Sequence, residues 1–358
     1  MENKINIGLV GSGRIAGHHI RSINKIKQFK IIAISDLKIE KTEAYAKSYK
    51  LKTYTHYNQM LQNEKSIDLV VIMTPSGMHY SHGMDILKKY KKNLVIEKPT
   101  CMKSSQVLKL YNTAKKLKKK VYPVFQNRNN KCIIKLKKLI EKGDIGKIRL
   151  ANLQLRWCRP QRYYDLSIWR GIYSHDGGAL TNQGIHYIDL LRYLFGEVKT
   201  LNANMKTLGA KIEVEDSVVS NFEFKSGALG SLEVTTSVRP DDYGATISVI
   251  GSKGFAQLSG LSANKLEKFS PNPKICKKFS ENIPDAYGFG HNKLYKDIFN
   301  DMKNKEKFPV NGSDCYKTIR FLNSFYVSDE QKKTVLVDKV KDSKRLGRKN
   351  EKISKLYK

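Results

Sequence analysis

Residues 4–11 (KINIGLVG) form a short apolar run ending on glycine, and a Gly-rich turn and a helical pattern to about Lys27 follow. Apolar runs at 29–36, 68–75, 93–99 and 120–126 then alternate with helical patterns at 39–50, 58–64, 79–90 and 104–118. Near-continuous apolar strands alternating with helices predict a parallel, doubly wound sheet covered on both faces. After about residue 127 the rhythm changes. A helix (131–143), a strand (147–157), an irregular stretch and a helix (180–195) precede strand-like runs at 198–208, 215–227, 227–239, 245–252, 254–260 and 265–270. Consecutive strands separated by Gly/Ser turns predict a mostly antiparallel sheet with helices on one face. Two helices (291–303 and 315–328) and a short strand (334–338) close the pattern. The expected fold class is α/β, with a parallel-sheet domain over 1–125 and an α+β domain over 126–340. Residues 341–358 are basic with few apolar anchors and are expected to form a mobile tail.

Composition changes this picture only in part. The 358 residues carry 66 Lys and Arg against 33 Asp and Glu, a formal net charge of +33. That excess invites a nucleic-acid reading. Most of it is Lys spread along the chain, however, and runs such as 115–120 fall on the polar side of predicted helices. With no basic recognition helix or RNA-binding signature, no specific nucleic-acid partner is expected. A basic surface does raise the encounter rate with an anionic substrate. No segment approaches the roughly 18 apolar residues of a membrane span, and the start lacks a secretory pattern, so a cytoplasmic protein is expected. The five cysteines include no C-x-x-C, and the eight histidines no H-E-x-x-H. Neither a disulfide framework nor a metal site is expected.

Three motifs carry chemistry. Gly11-Ser12-Gly13-Arg14-Ile15-Ala16 matches G-x-G-x-x-A between a predicted strand and helix. Gly11 permits the tight turn, and Gly13 lets backbone approach a pyrophosphate at the helix N-terminus. Asp36 ends the second strand, placed to accept from a ribose diol and repel a 2′-phosphate; this favours NAD over NADP, although nearby Lys38 softens the repulsion. Glu97-Lys98-Pro99 ends the strand run at 93–99, where open α/β sheets present their ligands. Thr74-Pro75 close the run at 68–75 and His79 follows it, in reach of a nicotinamide pocket, though His79 equally suits the start of the next helix. The third motif runs from Asp176-Gly177-Gly178 into a helix carrying Asn182, Gln183, His186 and Asp189, with Asn182, His186 and Asp189 at spacings that share one face.

In this order and spacing, the three motifs make the chain resemble the Gfo/Idh/MocA family of nicotinamide-dependent sugar dehydrogenases over about residues 4–335. The resemblance implies a Rossmann domain and an open-faced sheet that buries itself in a homo-oligomer, a dimer or tetramer. It places the family lysine on Lys98 and its histidine on His186, with Asn182 where many members have Asp. A narrower likeness rests on Gln126-Asn127-Arg128, Arg156-Trp157-Cys158-Arg159, Tyr163-Tyr164-Asp165, Trp169-Arg170-Gly171 and the Asn182-Gln183 pair. These resemble the bacterial UDP-N-acetylglucosaminuronate 3-dehydrogenases of surface-polysaccharide (O-antigen) assembly, in which the Asn is also expected. The implied cofactor residues are Gly11, Ser12, Gly13, Arg14, Ile15, Asp36, Thr74, Pro75, His79, Glu97, Lys98, Gln126, Trp169 and Arg170.

The implied substrate residues are Lys98, Arg156, Arg159, Tyr163, Tyr164, Asn182, Gln183 and His186. Physical chemistry agrees with an acidic nucleotide sugar: arginine suits carboxylate and phosphate, and aromatic rings can stack on a uracil or sugar face. The expected reaction is hydride transfer from C3 to NAD, with Lys98, His186 and Asn182 as the catalytic group and either Lys98 or His186 as the base. 2-Oxoglutarate is an expected hydride acceptor. A same-family dehydrogenase acting on another sugar nucleotide, an aldose or inositol is the alternative.

Overall fold

The computed structural model describes residues 4–304 and 306–357. Two compact units make up the chain, one from residues 1–124, 291–316 and 350–358, the other from 125–290 and 317–349. The expectation of a single crossing near residue 125 therefore differs from the structure, in which the chain returns to the first unit twice.

In the first unit, six strands form one parallel sheet: β1 (Ile5–Val10), β2 (Phe29–Ser35), β3 (Lys52–Tyr54), β4 (Leu69–Ile72), β5 (Asn93–Ile96) and β6 (Val121–Pro123), in the order β3-β2-β1-β4-β5-β6. All four residues of β4 are buried, as in a sheet covered on both faces. The order reverses between β1 and β4, so the C-terminal ends of these strands flank the crevice where such sheets bind dinucleotides. A helix over Gly290–Phe299 supplies Leu294, Tyr295 and Ile298 to the core beneath β1 and β2.

The second unit holds eight strands: β7 (Ile148–Arg156), β8 (Val198–Lys206), β9 (Ser217–Phe224), β10 (Leu229–Thr235), β11 (Gly244–Gly251), β12 (Phe255–Ser259), β13 (Lys265–Ser270) and β14 (Val335–Leu336). Their order is β13-β12-β11-β7-β10-β9-β8-β14, antiparallel except where β10 runs parallel to β7. Residues of β9 alternate between buried and open positions, so one face packs on the core while the other is open. On the open face Leu150 stands opposite both Leu229 and Ile250, and all three are exposed.

The segment after Lys341 departs from its expected mobility. Leu346 is fully buried and Ser343 nearly so, Arg345 pairs with Asp329 at 2.6 Å, and Gly347 N–H donates to the Tyr173 carbonyl. Within the first unit, a short helix (Glu351–Lys355) capped by Asn350 ends with the Tyr357 carbonyl 2.8 Å from His82 Nε2. One deeply placed leucine and a set of ion pairs replace the apolar anchors that the sequence lacks.

Candidate active site

The first unit carries the glycine-rich motif and Asp36. Gly11 has φ +100°, and a Cβ there would stand 2.7 Å from the Met73 carbonyl oxygen, so only glycine lets the chain turn beside β4. A Cβ on Gly13 would meet nothing within 4 Å, which leaves an open approach over the exposed Gly13 and Arg14 to the helix Ala16–Ile23. The Ser12 amide and hydroxyl donate to Asp36 Oδ2 at 2.8 and 2.9 Å, and the Lys38 amide donates to Oδ1 at 3.0 Å. The carboxylate is thus fixed at the end of β2 and half-buried, with Oδ1 holding one acceptor direction in reserve. The open glycine turn and fixed carboxylate fit a dinucleotide with an unphosphorylated ribose.

Lys98, at the end of β5, is half-buried between two residues whose polar groups face inward. Glu97 is 6% exposed, with Oε1 2.8 Å from His19 Nε2, while its Oε2 accepts from the Lys98 amide at 3.0 Å. Burial pushes the Glu97 carboxyl up, but hydrogen bonds and charge from His19 and His291 outweigh it and hold the group well below the usual range. The Glu97 carboxylate is thus engaged within the interior of the first unit. His79 likewise starts a helix and is buried, its Nδ1 2.7 Å from the Pro99 carbonyl and Nε2 2.8 Å from the Thr74 carbonyl. Burial lowers its pKa, and its ring braces two turns. Thr74 Oγ1 lies 3.0 Å from His82 Nδ1, and burial brings His82 down to about 4. His19, Glu97 and His291 form the one metal-compatible grouping among the described residues, and His19 Nε2 lies in direct hydrogen-bond contact with Glu97 Oε1.

The second unit carries the motif at 176–189. The predicted helix over 180–195 is broken: Gly178–Asn182 and Ile185–Phe195 are separate, and Gly184 lets the backbone approach the Leu180 carbonyl. Asn182, His186 and Asp189 therefore do not share one unbroken face. The Asn182 amide donates to Asp176 Oδ1, and His186 Nε2 lies 3.2 Å from the Gln126 amide nitrogen. Asp189 is 1% exposed and takes a bidentate pair from Arg128 at 2.6 Å, with Thr318 Oγ1 donating at 2.7 Å. It braces the helix that carries His186. The double glycine has a steric cause, since Gly178 has φ +88° and a Cβ there would lie 2.2 Å from the Glu215 carboxylate.

Before this helix pair, guanidinium and aromatic groups stack. Arg159 lies over Trp157 and Tyr163, at 4.9 and 5.6 Å, and Arg170 over Tyr163 and Trp169, at 4.4 and 4.6 Å. The Arg170 guanidinium and the Gln183 amide both donate to Tyr163 Oη, and the buried Arg170 Nε has no partner among the described residues. Arg159 pairs with Asp242 at 2.9 Å. Two expected substrate residues have partners within the chain. Tyr164 is buried with its hydroxyl on Thr236, and Arg156 makes a bidentate pair with Glu233 on the strand face opposite buried Leu153 and Leu155. Strand alternation moved Arg156 to the open face. Sequence reasoning also missed His291 and Glu215, and His19 offers in sequence only its adjacency to His18, a weak metal signal.

Residues 5–125 match the model of the oxidoreductase family with an NAD-binding Rossmann fold, and residues 133–257 match the GFO/IDH/MocA C-terminal domain. A dehydrogenase from Chromobacterium violaceum, WlbA, solved with NADH and UDP-GlcNAcA, is 30% identical; the match covers 94% of this chain and 96% of that one at a TM-score of 0.86. This chain belongs to the Gfo/Idh/MocA family. As a member of that family it is an NAD-binding oxidoreductase. This Gfo/Idh/MocA oxidoreductase is also 29% identical to WlbA from Bordetella pertussis, solved with the same two ligands, with 94% of this chain and 98% of that one covered and a TM-score of 0.86. Myo-inositol 2-dehydrogenase of Thermotoga maritima is 24% identical over 94% of this chain and 99% of its own length.

Proposed function

We propose that the protein oxidises the C3 hydroxyl of UDP-N-acetylglucosaminuronate to the 3-keto sugar nucleotide, using NAD+. Bound NAD+ would accept the hydride. Gly11, Gly13 and the helix behind them would hold its pyrophosphate, and Asp36 its ribose. His186 would take the hydroxyl proton, and Lys98 would stabilise developing alkoxide charge; the reverse assignment of base, with Lys98 taking the proton, stays open. Asn182, tied to Asp176, would orient the sugar. The observation that carries this substrate is the stack of Arg159, Tyr163, Arg170 and Trp169, with a buried guanidinium nitrogen lacking a partner. An anionic sugar acid would satisfy that nitrogen, whereas a neutral polyol leaves the cation uncompensated. The two WlbA structures with UDP-GlcNAcA support the same reading. The 24%-identical inositol dehydrogenase marks the alternative substrate class.

We further propose that 2-oxoglutarate takes the hydride back, that the product serves surface-polysaccharide precursor assembly, and that the exposed Leu150, Leu229 and Ile250 face pairs copies of the chain into a dimer or tetramer. Calorimetric titration tests the substrate. UDP-N-acetylglucosaminuronate should bind about tenfold or more tightly than UDP-N-acetylglucosamine, and Arg170→Gln should erase the difference. Equal binding of both sugars by the parent protein would remove the acid from the proposal.

A further inference from the structure

We propose that His19, Glu97 and His291 are positioning residues that fix the Lys98 turn, an inference that rests on the catalytic reading of Lys98. Three distant stretches of the first unit converge here. His19 comes from the helix Ala16–Ile23, Glu97 follows β5, and His291 and Tyr295 come from the helix Gly290–Phe299. His19 and Tyr295 are fully buried and His291 is 1% exposed, so none of the three offers a surface to a substrate. A carboxylate only accepts, so His19 Nε2 donates to Glu97 Oε1 at 2.8 Å, which leaves Nδ1 to accept from the Tyr295 hydroxyl at 2.6 Å. His291 Nε2 stands 3.7 Å from the same Oε1, and its ring meets that of His19 edge-on at 4.9 Å.

With Oε1 held from behind, Oε2 has a fixed direction, and it accepts the Lys98 amide at 3.0 Å. On the far side of Lys98, the Pro99 carbonyl meets His79 Nδ1 at 2.7 Å. The lysine backbone is thus braced on both sides by buried imidazoles. An apolar residue at position 97 would fill the interior at lower desolvation cost. What the carboxylate adds is a directed acceptor for the residue whose ammonium must meet a reacting oxygen, where a misplacement of about 1 Å costs on the order of a hundredfold in rate.

The test compares Glu97→Gln, Glu97→Ala, His291→Gln and Lys98→Met in the full chain, with initial rates, NAD+ affinity by fluorescence, thermal midpoint, and hydrogen exchange of the peptide spanning Lys98. Expected results are a kcat loss of about tenfold or more in His291→Gln and Glu97→Ala, with NAD+ affinity within about threefold of the parent. Glu97→Gln, whose amide oxygen still accepts from the Lys98 amide, should keep more kcat than Glu97→Ala. Exchange around Lys98 should quicken in Glu97→Ala whatever the substrate. Unchanged kcat and exchange, or a kcat that merely follows the folded fraction, would overturn the proposal. So would a stoichiometric metal in the purified protein that His291→Gln removes. An active Lys98→Met would instead sink the catalytic reading of Lys98, while an inactive Lys98→Met beside fully active His291→Gln and Glu97→Ala would sink the positioning role alone.

Discussion

Replacing Glu215 by Gln should flatten the pH dependence of stability. Glu215 is 1% exposed; its Oε1 accepts from Tyr326 Oη at 2.7 Å and from the Leu180 amide at 3.2 Å, and its buried Oε2 has no partner among the described residues. Burial pushes the carboxyl up to about 8 from its ordinary 4.5, the Tyr326 and Leu180 hydrogen bonds only partly opposing it. Between those values the unfolded chain has released this proton and the folded chain keeps it. Each rise in pH through the window therefore favours the unfolded state, and above about 8 the loss is complete. At about 1.4 kcal/mol per pH unit, the group's contribution approaches about 5 kcal/mol as an upper bound.

Gln reproduces the neutral acid in shape and places its amide nitrogen where Oε2 stands. Urea unfolding followed by circular dichroism at a series of pH values reads the effect. Parent and variant should be nearly equal at about pH 5, and the variant several kcal/mol more stable at about pH 9. Parallel pH dependences in the two proteins, or a variant less stable at the high end, would refute the reasoning.

Lys98→Met should abolish turnover while leaving NADH affinity within about threefold, read by single-turnover absorbance and fluorescence titration. Asp36→Ser should weaken NAD+ about tenfold and narrow its preference over NADP+, as seen in KM for both cofactors. Gly178→Ala should lower stability by about 2 kcal/mol or more, because the added methyl meets the Glu215 carboxylate and the backbone has a positive φ; a thermal midpoint matching the parent would contradict this. Asp189→Ala leaves Arg128 buried without its counter-charge and should cost about 3–5 kcal/mol in urea unfolding.

The sheets were legible because their hydrophobic periods are strong. A buried parallel strand such as β4 has an apolar run, and the alternation of β9 marks one open face. The Gly11 turn, Asp36 and Lys98 were legible because short-range chemistry at strand ends defines them. What stayed hidden depends on contacts between distant residues. No local pattern pairs His19 with Glu97 78 positions away, or Arg128 with Asp189. The break at Gly184 escaped because its apolar neighbours keep the helical period across it. The pairing of Arg156 with Glu233 was hidden as well, because the two lie 77 positions apart on neighbouring elements of the sheet.

The most direct test of the central claim is absorbance in the NADH band on purified protein. The measurement is made with NAD+ before and after UDP-N-acetylglucosaminuronate, and then with 2-oxoglutarate. The account predicts a rise with the sugar nucleotide and a fall when 2-oxoglutarate follows. No rise with this substrate, beside a clear rise with an inositol or a free aldose, would contradict it.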